Sequence, residues 1–156
     1  MTSMAVDGRY VAVIGGTEVS AAVEADAETV GRLLAEAGVI VVTGGREGVA
    51  AAASRGAMEA GGLTVGILPG RDRDEANPWV RIAVPTGLGE LRNALVVMDA
   101  DAVIALPGAY GTLIEIAFAL LGNTRVVGLG NWALGEGVSI LSGDTPADVV
   151  TLALNS

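Results

Sequence analysis

The sequence predicts an α/β domain, Rossmann-like and doubly wound, with a mainly parallel sheet of about six strands. Three observations carry this. Short β-branched runs alternate about five times with segments of helical apolar spacing. The runs are apolar throughout, as strands covered by helices on both faces are. Glycine-rich turns close the first, second, third and fifth runs, placing them on the one rim where such sheets take ligands. A length of 156 residues suits one domain, taken as 1–156.

Arg9–Ile14 (RYVAVI) reads as the first strand, closed by Gly15-Gly16-Thr17. Residues 20–37 carry Val23, Ala27, Val30, Leu33, Leu34 and Ala37 at helical spacing, with Gly38 as the stop. Val39–Val42 is the second strand, ending in Thr43-Gly44-Gly45. An alanine-rich helix spans Gly48 to Ala60, and Leu63–Leu68 (LTVGIL) is the third strand before Pro69-Gly70. The polar stretch Arg71–Trp79 reads as a surface loop, and Val80–Val84 as a fourth strand. A helix over Leu88–Met98, a strand over Ala102–Leu106, a helix over Thr112–Leu121 and a strand over Arg125–Leu129 follow. Near the end, Thr145-Pro146-Ala147-Asp148 has the cap, first-turn proline and acid of a helix start.

Composition narrows the chemistry. Hydrophobic residues make up 51% of the chain and aromatics 3%, so the core must be aliphatic. A net charge of -9 argues against nucleic-acid or anionic-membrane partners. No apolar run reaches the ~20 residues that span a bilayer. The opening MTSMAVDGRY has neither a basic region nor a hydrophobic signal core, so a cytoplasmic location is the expectation. Without cysteine or histidine there is no thiolate site, imidazole metal site or Ser-His-Asp triad. All nine basic residues are arginine, which excludes a Walker A loop and a pyridoxal-phosphate Schiff base. Carboxylates, hydroxyls, arginine, backbone amides or an oxygen-bound metal remain. Neither a resident cofactor nor a metal site is expected.

Four stretches on the rim are candidates. Gly15, Gly16 and Thr17 lack the GxGxxG dinucleotide pattern and read equally well as a bare turn or a ligand contact. Gly44, Gly45 and Gly48 surround a helix start, where free N–H groups and the helix dipole favour an anion; the alternative is a flexible connection with a solvated Arg46–Glu47 pair. LPGAYGTLIE (106–115) places Gly108, Gly111 and Thr112 before a helix, with amides around 109–112 free for a phosphate. Glu115 falls on that helix's first turn, where a capping role is the alternative. Arg92 lies near another helix start on the same rim, as a site residue or a solvated partner of Glu90. Asp99 and Asp101 sit at the opposite end of the sheet and read as solvated.

LPGAYGTLIE resembles the PGGxGTxxE signature of the LOG-type family, the cytokinin riboside 5'-monophosphate phosphoribohydrolases once misnamed lysine decarboxylases. The resemblance runs from about Arg9 to Leu129. With TGGREGVA, GAMEAGG, GILPG and TGLGELRN, it is closest to a subgroup of small Rossmann-like proteins to which molybdenum-cofactor carrier proteins are similar. The resemblance implies Arg92 and Glu115 as catalytic residues, and phosphate binding by Pro107, Gly108, Gly111 and Thr112. Ala109, Tyr110 and Asn93 complete the expected nucleotide-binding set. It also implies a homodimer or homotetramer with the site near the subunit interface. The chain departs from the family where Ala109 replaces the second glycine, Asn93 replaces a lysine, and no histidine precedes Arg92. Arg46 stands where a third glycine is common.

The sequence thus points to a pocket for a small phosphorylated ligand of nucleotide or pterin type. As a hydrolase, it would use Glu115 to stabilise an oxocarbenium-like ribose and Arg92 to hold Glu115 ionised. As a non-catalytic carrier or sensor, it would bind a phosphorylated cofactor such as molybdenum cofactor. A vestigial pocket is the third reading.

Overall fold

The computed structural model describes residues 8–130, 132 and 134–155. Residues 1–7, on which the expectation of no export signal mainly rests, lie outside the described residues. The order is β1 (Tyr10–Ile14), α1 (Ala21–Glu36), β2 (Ile40–Thr43), α2 (Val49–Glu59), β3 (Thr64–Leu68), β4 (Ile82–Pro85), α3 (Arg92–Met98), β5 (Ala102–Ala105), α4 (Tyr110–Leu121), β6 (Arg125–Leu129), β7 (Leu141–Gly143) and α5 (Pro146–Leu154). The strands form one sheet in the order β4-β3-β2-β1-β5-β6-β7, and every pair is parallel. The α/β doubly wound fold is as expected, with seven strands instead of about six. The added strand, Leu141-Ser142-Gly143, is short and has no β-branched residue, so no pattern marks it.

Alternation along the central strands builds two cores. Val11 and Val13 of β1, with Ala102 and Ile104 of β5, meet Val30, Leu34, Val49, Ala53 and Val149 from α1, α2 and α5. Ala12, Ile14, Val103 and Ala105 meet Val96, Val97, Ile116 and Ala119 from α3 and α4 on the other face. Fully burying each Val, Leu or Ile side chain contributes roughly 1.5–3 kcal/mol, so these strands anchor the rim. β4 sits at the sheet's edge, where the missing N–H of Pro85 costs no ladder bond.

The helix expected over Leu88–Met98 is divided. Gly87 and Gly89 take φ of 67° and 59°, outside the α-helical region, so the α-helix cannot run back through them and only a short 3₁₀ turn at Gly89–Leu91 precedes α3. Arg92 therefore opens the α-helix. α5 begins as expected: Thr145 and Asp148 form a reciprocal capping box with Pro146 in the first turn. Asp101 is exposed but not merely solvated, since its carboxylate accepts the Tyr10 N–H at 2.8 Å.

Candidate functional site

The winding reverses between β1 and β5, which lie side by side in the sheet. The turns that follow them are bonded together. Leu106 N–H donates to Ile14 O at 2.9 Å, and Gly16 N–H donates to Pro107 O at 2.9 Å. Between these turns lies a cleft of about 530 Å³, lined by Gly16, Thr17, Glu18, Val19, Ser20, Val23 and Pro107–Ala109.

The wall at Gly108 is tight. A Cβ there would lie 2.8 Å from Thr112 Cβ and 2.9 Å from Gly16 N. Ala109, in contrast, is the N-cap of α4 at φ −123°, a conformation open to any residue, so the second glycine of the motif is not required by the backbone. No side chain caps α4, and Leu113 is the first residue to donate within it, to Ala109 O at 3.0 Å. The amides of 110–112 precede that first helical bond, at the positive end of the helix. Thr112 is 3% exposed, while Tyr110 is 84% exposed and lines neither this cleft nor its neighbour.

A second, smaller cavity of about 50 Å³ opens beside the cleft. Gly15, Thr17, Gly44, Arg46, Arg92 and Glu115 are among its walls. Sequence residues 23 positions apart thus share one space: Arg92 opens α3, and Glu115 points in from α4. Gly45 and Gly48 do not line it. Gly45 N–H donates to Thr43 Oγ1 at 3.0 Å, and Gly48 caps α2 without a side-chain bond. Asn93, 3% exposed, donates to Glu90 Oε2 at 3.2 Å, and its amide nitrogen is 3.9 Å from where a Gly111 Cβ would sit.

Two electrostatic expectations change. Because α4 begins at Tyr110, Glu115 lies beyond the first turn, and no cap or macrodipole stabilises its charge. Burial is the largest influence on it and, reinforced by the Glu90 charge, raises its pKa to about 8 against the pull of Arg92. Arg92 does not keep Glu115 ionised, and the two make no direct ion pair; those among the described residues are Arg32–Glu36 and Arg55–Glu28. Arg92 is instead engaged with backbone. Its Nη1 donates to Gly44 O at 2.6 Å and Ile67 O at 2.8 Å, while its buried Nε has no acceptor. Burial, the largest influence, lowers the Arg92 pKa, opposed by Glu115 and Glu90.

Sequence reasoning did not count Glu90 and Glu18 as site residues. Glu90 sits in the TGLGELRN stretch, where its spacing to Asn93 was the available signal; Glu18 lies in a turn without pattern. Among the described residues, no group of three or more carboxylates could hold a metal ion, and no helix is long and apolar enough to cross a membrane.

Known proteins share this architecture. An uncharacterized protein of Archaeoglobus fulgidus is 38% identical over 146 residues, 94% of this chain and 95% of that one. The molybdenum cofactor binding protein of the phototrophic bacterium Rippkaea orientalis superposes with a TM-score of 0.88 at 34% identity, covering 93% and 94% of the two chains. The molybdenum cofactor carrier protein of Chlamydomonas reinhardtii gives 0.83 at 29% identity, covering 93% and 95%. The SLOG cluster4 family model matches residues 8–150, and the chain belongs to that family.

Proposed function

We propose that the protein is a non-catalytic carrier of a phosphorylated pterin-type cofactor, of the molybdenum cofactor kind, held in the cleft between the β1 and β5 turns. One observation carries the choice over hydrolysis. The acid that would stabilise an oxocarbenium ion is buried and, with a pKa of about 8, neutral at pH 7. A neutral carboxyl offers no charge to a developing cation. The cavity it faces, about 50 Å³, is about a tenth the volume of the cleft at about 530 Å³.

The cleft itself suits a carrier. Its 530 Å³ falls in the range of roughly 300–1,000 Å³ typical of small-molecule sites. The backbone of Gly108 and Ala109, which lines the cleft where α4 begins, would receive the phosphate, and Val19 and Val23 offer apolar surface to the pterin ring. When bound, the cofactor supplies a metal–dithiolene centre for a partner enzyme. With no cysteine or histidine, this chain would grip the phosphate and ring and leave that end without protein sulfur or imidazole. The similarity to two molybdenum cofactor proteins supports the same reading.

Hydrolysis of a nucleoside 5'-monophosphate is the second reading, favoured by Arg92 and Glu115 sharing one cavity. Thermal shift and free-base release separate the two. A carrier melts higher with a pterin phosphate and releases no adenine from AMP; steady adenine release would overturn it.

The protein is further proposed to work as a homo-oligomer. Leu91, Leu95 and Met98 beside α3, and Tyr110, Ile114, Phe118 and Leu121 on α4, are exposed apolar residues on two helices packed side by side. None of the exposed residues on α3 and α4 is charged, in a chain of net charge -9. A second copy of the same face would cover it with least repulsion.

A further inference from the structure

Arg92 makes contacts that ligand binding alone does not require. The last paired residues of β2 and β3 are Thr43 and Gly66. Just beyond them, the carbonyls of Gly44 and Ile67 are both acceptors, so neither can satisfy the other. Arg92 Nη1, with two hydrogens, donates to both, at 2.6 and 2.8 Å. We infer that Arg92 is a positioning residue: it clasps the 43–48 loop to the end of β3, continuing the β2–β3 pairing one step past the backbone ladder. This rests on the reading of the cleft as a binding site, on which it acts through the loop.

Gly44 fits this role. Its φ lies outside the left-handed region, so the backbone would accept a side chain there. What forbids one is the guanidinium: a Cβ on Gly44 would sit 2.5 Å from Nη1 and 3.2 Å from Cζ. The glycine makes room for the clasp. From Gly44 the loop leads to α2, whose first residue donates from Val49 N–H to Gly16 O at 3.0 Å. Gly16 in turn donates to Pro107 O. Arg92, the loop, the β1 turn and the β5 turn form one connected path, and its far end is the wall of the cleft. The loop is also held by Asn77, which donates to Gly45 O at 2.8 Å and Arg46 O at 2.7 Å, but those bonds leave Gly44 O to Arg92.

Hydrogen exchange of the unliganded full chain tests the clasp without reference to any ligand. In Arg92→Met, the Gly45 and Val49 amides should exchange roughly tenfold faster or more, as loss of a charge-assisted bond allows. Gly44→Ala keeps the arginine but takes its place, and should reproduce the loss. Arg92→Lys, whose ammonium can donate to both carbonyls, should restore most of the protection. Combining Arg92→Met with Gly44→Ala should add nothing further. Unchanged protection of Gly45 and Val49 in both single variants overturns the inference; if Arg92→Met does not fold, Gly44→Ala and Arg92→Lys decide it. Titration with 6-hydroxymethylpterin phosphate is the second readout. Affinity should fall with the protection, and if it falls in Arg92→Met while protection holds, the arginine touches the ligand and the clasp is refuted. A wild-type protein that binds no pterin phosphate but loses protection in the variants leaves the clasp standing and the carrier reading refuted.

Discussion

Glu115→Gln should make the protein more stable, and increasingly so as pH rises. Burial raises the Glu115 pKa from the usual 4.5 to about 8 in the folded chain. Between those values the native state holds a proton that the unfolded state has released. Unfolding then releases a proton, so stability falls as pH climbs through this window. Below it both states are protonated, and above it both are ionised, so the dependence is confined there. At about 1.4 kcal/mol per pH unit, the full interval corresponds to roughly 5 kcal/mol, an upper figure that local relaxation reduces. A glutamine keeps the shape and hydrogen-bonding capacity of the protonated acid but cannot ionise. Urea unfolding of both proteins at equal concentration, in steps from pH 4.5 to 9, isolates the effect in the difference between them. The two should be similar near pH 4.5, with the variant several kcal/mol ahead at pH 9. A difference independent of pH would refute the buried, neutral acid. A difference of opposite sign would mean that Glu115 is ionised and paired, the state a hydrolase needs.

Three further outcomes test other parts of the structure. Gly108→Ala puts a methyl 2.8 Å from Thr112 Cβ and 2.9 Å from Gly16 N, so it should cost about 1–3 kcal/mol in urea unfolding and lower pterin phosphate affinity by tenfold or more in a titration. Thr145→Ala removes one half of the α5 capping box and should cost ~1 kcal/mol, read as a lower melting temperature, with ligand affinity unchanged because α5 lies away from the cleft lining. Leu91→Glu with Leu121→Glu puts charges on the α3/α4 face, at positions 69% and 81% exposed; light scattering should show an oligomer for the parent and a folded monomer for the variant.

The sheet was legible because its strands are short, apolar and punctuated by glycine, and the helices between them follow simple periodicity. What failed was local. β7 has too few residues to carry a pattern, and the start of α3 was displaced by two glycines at positive φ, a property sequence does not print. Which rim residues come together was partly legible as well. The turns at 15–17 and 107–109 do meet, and Arg92 and Glu115 do share a cavity. Their charge states were not legible, because desolvation depends on what covers a group. Burial raises the Glu115 pKa in a cavity it shares with residues of β1, α2 and α3, no two of which are adjacent in the chain. Arg92 turned to carbonyls at 44 and 67 for a similar reason: the need for a donor there exists only once β2 and β3 are paired.

On the proposed carrier reading, these two side chains explain how the rim would bind a phosphorylated ligand without cutting it. Cleavage of a glycosidic bond needs an ionised acid within reach of the sugar and a cation free to offset leaving-group or phosphate charge. Here the cation's Nη1 is committed to two backbone carbonyls, and the acid faces a cavity about a tenth the volume of the cleft. Thr17 borders both spaces and Glu115 lines only the smaller one, so the cleft and the acid's cavity adjoin at the β1 turn. Shifting the β1 turn to admit a sugar would strain the Gly16–Pro107 and Val49–Gly16 bonds that define the cleft. The contacts that shape the cleft are therefore the same ones that would keep the acid apart from a ligand seated in it.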